Sequence, residues 1–161
     1  MPDTKQKKTI VEPRAMETVI GYRIARAKVA TQALFQRHIG KPYGLRPVEF
    51  TLLLMLQANK GLAPKQLCKA LTLPAPHLTI LLDRLQERGL IERVRSSVDR
   101  RSQQVLLTEP GLTLAAELAR HAPHMEDDLR GCLTTGERAM LIELLDKVAS
   151  YADKLPESDE A

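Results

Sequence analysis

The chain has no tryptophan, and its three tyrosines and two phenylalanines make aromatic residues only 3% of 161 positions. Proteins that hold single-stranded nucleic acid stack the bases on aromatic rings, and a chain this poor in rings has little with which to build such a platform. Only two cysteines occur, Cys68 and Cys132, far apart and in no C-x-x-C pair. That excludes a disulfide framework or a zinc knuckle and fits a reducing compartment. No run approaches the roughly 20 apolar residues of a membrane span, and the opening MPDTKQKKT lacks the apolar stretch of a secretory signal. A cytoplasmic protein that does not enter the membrane is expected. No strand-like run is followed by a glycine-rich phosphate loop, and neither G-x-S-x-G nor H-E-x-x-H is present, so the sequence offers no enzyme active site and no cofactor motif.

What is present is ordinary for one globular unit: 43% hydrophobic and 27% charged residues. The charge is unevenly placed. Residues 1–108 carry 19 Lys+Arg against 8 Asp+Glu, whereas residues 109–161 carry 5 against 12, so a net charge of +4 conceals a basic body and an acidic final segment. Such a split points the first part at a polyanion and the second at solvent or protein.

Apolar positions Met16, Ile20, Ile24, Ala27, Leu34 and Phe35 recur at helical steps and predict a long helix from Met16 to about Ile39, ended by the breakers Gly40, Pro42 and Gly44. Pro47 is placed to start a second helix with Val48, Leu52, Leu53 and Leu56 inward. PKQLCKAL reads as a third. A fourth runs from about Ala75 to Arg88, with Leu78, Leu81, Leu82 and Leu85 in one stripe and Gly89 as its stop. LIERVR and SQQVLLT are strand candidates joined by the polar SSVDRR, a hairpin. Thr108 caps a further helix that Pro123 should kink or divide, and Thr134 with Glu137 forms a capping box for a last one. The expected fold is therefore mainly α with a small β hairpin. Its divisions are an N-terminal tail (1–13), a dimerisation helix (14–45), a winged helix-turn-helix (46–109), C-terminal dimerisation helices (110–155) and a final tail (156–161), both tails disordered.

Short helices followed by a hairpin with a basic tip make up a winged helix-turn-helix. A helix fits the B-DNA major groove, about 12 Å wide, while a thin basic loop enters the minor groove, where negative potential concentrates. With the leucine stripe inward, Ile80 and Arg84 face out, flanked by His77 and Thr79. Ile80 suits a thymine methyl, His77 and Thr79 suit base edges or phosphates, and Arg84 suits the backbone. Arg95, Arg100 and Arg101 lie on the wing, where Asp99 would pair an arginine and fix the tip.

The segment LTLPAPHLTILLDRLQERGLIERVRSSVDRRSQQVLLTEPG resembles the multiple antibiotic resistance regulator (MarR) family of bacterial transcription factors, in the leucine pattern, in RGLIER, in DRR and in LTEPG. With helix order included, the resemblance covers about residues 16–155. It implies an obligate homodimer joined through the first and last helices, a near-palindromic double-stranded operator, and repression relieved by a small molecule or an oxidant. Asp99, Arg100 and Arg101 match the wing signature, and His77, Thr79, Ile80 and Arg84 fall on the reading helix. Pro74 and Pro76 stand where the family commonly has serines, and Ile80 where it has a basic or polar residue. The stripe Leu141, Leu144, Leu145, Val148 and Leu155 exceeds what a small reader needs to cover its own core, which also argues for a dimer with reading helices about 34–36 Å apart.

Three kinds of signal are open. The cations Arg23, Arg26, Lys28, Arg37, Lys41 and Arg46, with no acid from Ile20 to Val48, suit a small organic, aromatic or anionic effector, with Arg14, Arg23, His38 and Tyr43 as pocket candidates. Glu117, His121, His124 and Asp128 have the spacing of one helix face and suit Zn²⁺, with His38 as an added ligand, unless Pro123 spoils the geometry. Cys68, near Lys65 and Lys69, or Cys132 could sense oxidants. A dimeric helical adaptor that binds only proteins is the alternative of a different class.

Overall fold

The computed structural model describes residues 16–95, 103–151 and 154. Its elements are α1 (Ile20–Phe35), a π-helical segment (Gln36–Gly40), α2 (Lys41–Tyr43), α3 (Pro47–Asn59), α4 (Pro64–Leu71), α5 (Ala75–Glu87), β1 (Ile91–Arg95), β2 (Gln103–Leu107), α6 (Glu109–Leu129) and α7 (Thr135–Tyr151). The mainly α fold with one hairpin is the expected one.

The breakers after the first helix act differently from the sequence reading, and of the two outcomes expected at Pro123 the division does not occur. The first helix does not stop at Gly40 but widens into a π turn and continues to Tyr43. Pro42 has no N–H to donate and would clash in a regular turn, and the wider spacing accommodates it. Leu45 N donates to Gly40 O at 3.1 Å to close this turn, and Gly44 at φ 61° then ends the helix in the left-handed conformation that glycine adopts without penalty. Pro123 does not divide α6, which is a single helix of 21 residues. Pro123 is exposed, so water can reach the carbonyl that its missing N–H leaves free.

Helices α3, α4 and α7 start where their capping chemistry lies. Arg46 N donates to Glu49 Oε2 at 2.7 Å, Ala63 N to Gln66 Oε1 at 2.8 Å, and Thr134 N to Glu137 Oε2 at 2.8 Å. All three are the back-bond of a capping box. Thr108 Oγ1 donates to Gly89 O at 2.6 Å and accepts from Gly111 N at 3.2 Å, so one hydroxyl ties the end of α5 to the start of α6.

The hairpin is antiparallel with Ile91 opposite Leu107 and Arg95 opposite Gln103. Leu62 pairs with Val105 through both of its main-chain groups, at 3.2 and 2.9 Å, and so ties the α3–α4 connection to β2. The core joins Ile39, Leu52, Leu53, Leu67, Leu78, Leu85, Ile91, Val105 and Leu118, all at most 2% exposed. It therefore fuses the π turn, the three helices of the reader, the hairpin base and α6 into one packed body. By contrast, α7 has no buried residue and α1 buries only Phe35.

Candidate nucleic-acid interface

The leucine period of α5 decides which side faces out. Leu78, Leu81, Leu82 and Leu85 are buried, and Ile80 is 66% exposed on the other side. Pro74 leads into the helix at φ −59°, ψ 145°, and Pro76 sits in its first turn, where a missing N–H costs nothing in helical bonding. Those prolines leave the start of α5 without two main-chain donors that other residues would present there. His77 and Thr79 are exposed beside Ile80. The Thr79 hydroxyl donates to Ala75 O at 3.0 Å, which leaves its oxygen as an acceptor towards a partner. Arg46, His77, Ile80 and Arg84 line a shallow groove of about 240 Å³ between the start of α3 and α5.

Arg84 is not a freely solvated cation. Its Nε lies 3.2 Å from Oε1 of Glu49, a residue with no exposed surface, while Arg88 Nη1 lies 4.0 Å from Glu49 Oε2. The first contact is an ion pair without the alignment of a hydrogen bond, since Glu49 Oε1 accepts none. Arg88 also donates to Gly44 O and Tyr43 O, both at 3.2 Å, which fastens the end of α5 to the turn after α2. On the other flank, Asp83 of α5 pairs with Arg93 of β1 and so anchors the hairpin to the reading helix. The sequence reading set Arg88 beside Arg84 as a backbone-phosphate contact, whereas here it is fastened to the Tyr43 and Gly44 carbonyls; Glu49, Asp83 and Arg93 it missed as working residues. The available signal was chemical: Glu49 sits inside an apolar run, where a carboxylate needs a partner.

Arg95 ends β1, exposed. The wing residues Asp99, Arg100 and Arg101, together with Arg14 and Leu155, lie outside the described residues.

The effector candidates separate. Arg23 donates through Nε to Glu17 O at 2.9 Å and lines an apolar groove between α1 and α7. His38 and Tyr43 instead both face α6. His38 Nε2 lies 2.7 Å from Asp128 Oδ2, with Arg37 Nη1 at 3.4 Å from the same oxygen. The Tyr43 hydroxyl donates to Glu117 Oε1 at 2.9 Å, and its ring lies 6.0 Å from that of His121, which in turn lies 5.7 Å from His124. The hydrogen bond from His38, then the Arg37 charge, holds the Asp128 carboxyl below its usual range; burial, then the bond to Glu117, pushes the Tyr43 phenol up. The proposed metal quartet does not converge. Glu117 serves Tyr43 and Asp128 serves His38, and among the described residues no group of three or more His, Cys, Asp or Glu side chains could hold an ion. Cys68 is half-buried against the core, and Cys132 is exposed, its thiol donating to Leu129 O at 3.3 Å.

A helix stacked on leucines, a helix crossing behind it and a hairpin pinned to its flank define a winged helix-turn-helix, here extended at both ends by helices. A model of the MarR family matches residues 43–102. The structure of the transcriptional repressor CouR bound to a 23-mer DNA duplex is 30% identical and superposes with a TM-score of 0.79 over 88% of this chain and 99% of that one. BpsR of Bordetella bronchiseptica, whose DNA binding is regulated by 6-hydroxynicotinic acid, is 27% identical, with a TM-score of 0.75 over 83% of this chain and 94% of that one. A protein assigned to transcriptional regulation of the hcr operon in Thauera aromatica is 27% identical over 142 residues, 88% of this chain and 86% of its own length. The chain belongs to the MarR family of DNA-binding transcriptional regulators. Its relatives are regulators rather than enzymes, and among the described residues no helix is long and apolar enough to cross a membrane.

Proposed function

We propose that the chain acts in the cytoplasm as a homodimer that represses transcription by binding a near-palindromic duplex and is released by a small organic anion. The observation that carries this reading is Ile80: 66% exposed at the centre of a helix whose opposite face is fully packed. An isoleucine left bare there gains nothing from folding, and it gains by covering a thymine methyl. His77 and Thr79 serve base edges or phosphates, Arg84 the phosphate chain, and Arg95, Arg100 and Arg101 the adjacent groove, with Asp99 setting the wing tip. The repressor role is supported by CouR.

Dimerisation is supported by the face shared by α1 and α7, where Ile20, Ile24, Leu141, Leu144, Leu145 and Val148 line an open apolar groove of about 810 Å³. Release by an organic anion is supported by BpsR and by the cluster of Arg37, His38, Tyr43 and His121 at the junction of the π turn with α6. A planar carboxylate or phenolate could replace Asp128 or Glu117 as the partner of these donors. Arg14 and Arg23 remain pocket candidates only through their cationic chemistry.

Selection of duplexes from a random pool with purified protein tests the reading. Binding should recover a twofold-related sequence, with affinity falling steeply in salt at a log–log slope of about −0.9 per phosphate contacted. Ile80→Ala should relax preference at one T position, while Arg101→Ala should weaken binding to every duplex alike. A protein adaptor would select no sequence from the pool.

A further inference from the structure

We infer that the buried carboxylate of Glu49 is a positioning residue for DNA recognition, holding Arg84 in the pose from which it meets the duplex; this rests on the DNA-binding reading above. Three helices of this chain carry a capping box closed by Glu49, Gln66 and Glu137. Gln66 and Glu137 are exposed, and the neutral amide of Gln66 does the capping as well as a carboxylate. Capping therefore requires neither charge nor burial. Glu49 alone of the three has no exposed surface, and it is the one polar or charged side chain buried among the described residues. A carboxylate in that setting is costly unless cations meet it, and Arg84 and Arg88, one turn apart on α5, both do.

The geometry fixes the division of labour. Glu49 Oε2 is used by the Arg46 N–H, whereas Oε1 faces Arg84 Nε at 3.2 Å. Arg84 is gripped by the nitrogen nearest its stem, and its side chain is still 40% exposed in the groove it shares with Arg46, His77 and Ile80. The two terminal nitrogens are left for a phosphate, in the bidentate arrangement guanidinium favours. A cation already held in place loses less conformational freedom on binding than one swinging in solvent. Arg88, fastened to the Tyr43 and Gly44 carbonyls, keeps the end of α5 from turning away from Glu49. A lysine at position 84 would keep the charge, but its single nitrogen could not both pair with Glu49 and present a bidentate fork to phosphate.

The test uses full-length protein, the duplex selected above and a scrambled duplex of equal length, followed by fluorescence anisotropy, with thermal melts confirming folding. Glu49→Gln retains the cap and the volume but not the charge. Because Arg84 meets the phosphate chain, the change should weaken the selected and the scrambled duplex by a similar factor, about 5- to 20-fold, and lower the salt slope by about one contact. Glu49→Gln combined with Arg84→Ala should be no worse than Arg84→Ala alone. Arg84→Lys, which changes a half-exposed side chain and so keeps the fold, should lose nearly as much as Arg84→Ala. Additive losses, or an Arg84→Lys protein that binds the selected duplex like wild type, would overturn the inference while leaving the DNA-binding reading standing. Wild-type protein that binds neither duplex overturns both.

Discussion

Leu85 has no exposed surface and closes the stripe on which the reading face depends. Truncating it to alanine should lower stability by about 2–5 kcal/mol, seen as a lower midpoint in urea with little change in slope. The stripe was legible because four leucines at helical spacing have one good solution, which is burial. Glu49 was not, because a single carboxylate in sequence reads as surface until the arginines of another helix are known to reach it. Glu137 gives a residue-scale prediction with a definite sign. The main-chain N–H of Thr134, then its hydroxyl, holds the Glu137 carboxyl below its usual range. A carboxylate lowered by folding contributes stability that is fully present above its unfolded value, near 4.3, and is lost as pH falls through the folded one. The amide resonance of Thr134 should therefore titrate with a midpoint below that of an ordinary glutamate. A midpoint at or above the ordinary value would mean that the capping box does not form in solution.

At the scale of elements, Gly111 at the junction between hairpin and α6 has less room than any other described glycine. A Cβ on Gly111 would lie 1.9 Å from Leu90 O, a backbone atom that already accepts from Thr108 N at 3.2 Å. No rotamer relieves that clash, so α6 would have to shift as a body. Gly111→Ala should cost about 1–3 kcal/mol or more and lower the melting temperature by several degrees, without touching any residue of the reading face. A melting temperature equal to wild type would show that α6 does not pack on the hairpin base as described. The helices themselves were readable, since proline starts and apolar periods set α3, α4 and α5 to within a residue or so. The two exceptions share a cause: Pro42 and Pro123 predict breaks by local rules, but a π turn absorbs the first and solvent exposure the second. The Asp83–Arg93 pair was equally invisible, because it joins a helix to a strand whose relative placement only the fold supplies.

For the whole molecule the decisive quantity is the apolar surface left uncovered. In α7, Met140, Leu141, Ile142, Leu144, Leu145, Val148 and Tyr151 are each 43–61% exposed, and α1 adds Ile20 at 63% and Val29 at 72%. The sequence already hinted at this surplus, since the last helix carries more leucine than a small reader can bury; it could not tell which faces of α1 and α7 stay open. Soluble monomers rarely expose so much contiguous apolar surface, and in the dimer proposed above a second copy of the same face would cover it with twofold symmetry. In that dimer pairing would also govern DNA affinity, because once one reader had docked, the second would meet its half-site at a high effective concentration. Leu144→Glu with Leu145→Glu places two carboxylates on each side of that contact and touches neither the core nor α5. The variant should sediment as a monomer, keep its melting transition in the reader body, and lose about 100-fold or more in affinity for a duplex with two half-sites while binding a single half-site much as the wild-type protein does. Should wild type itself sediment as a monomer at micromolar concentration, or the variant remain paired, the faces of α1 and α7 would have to serve something other than a second copy of this chain.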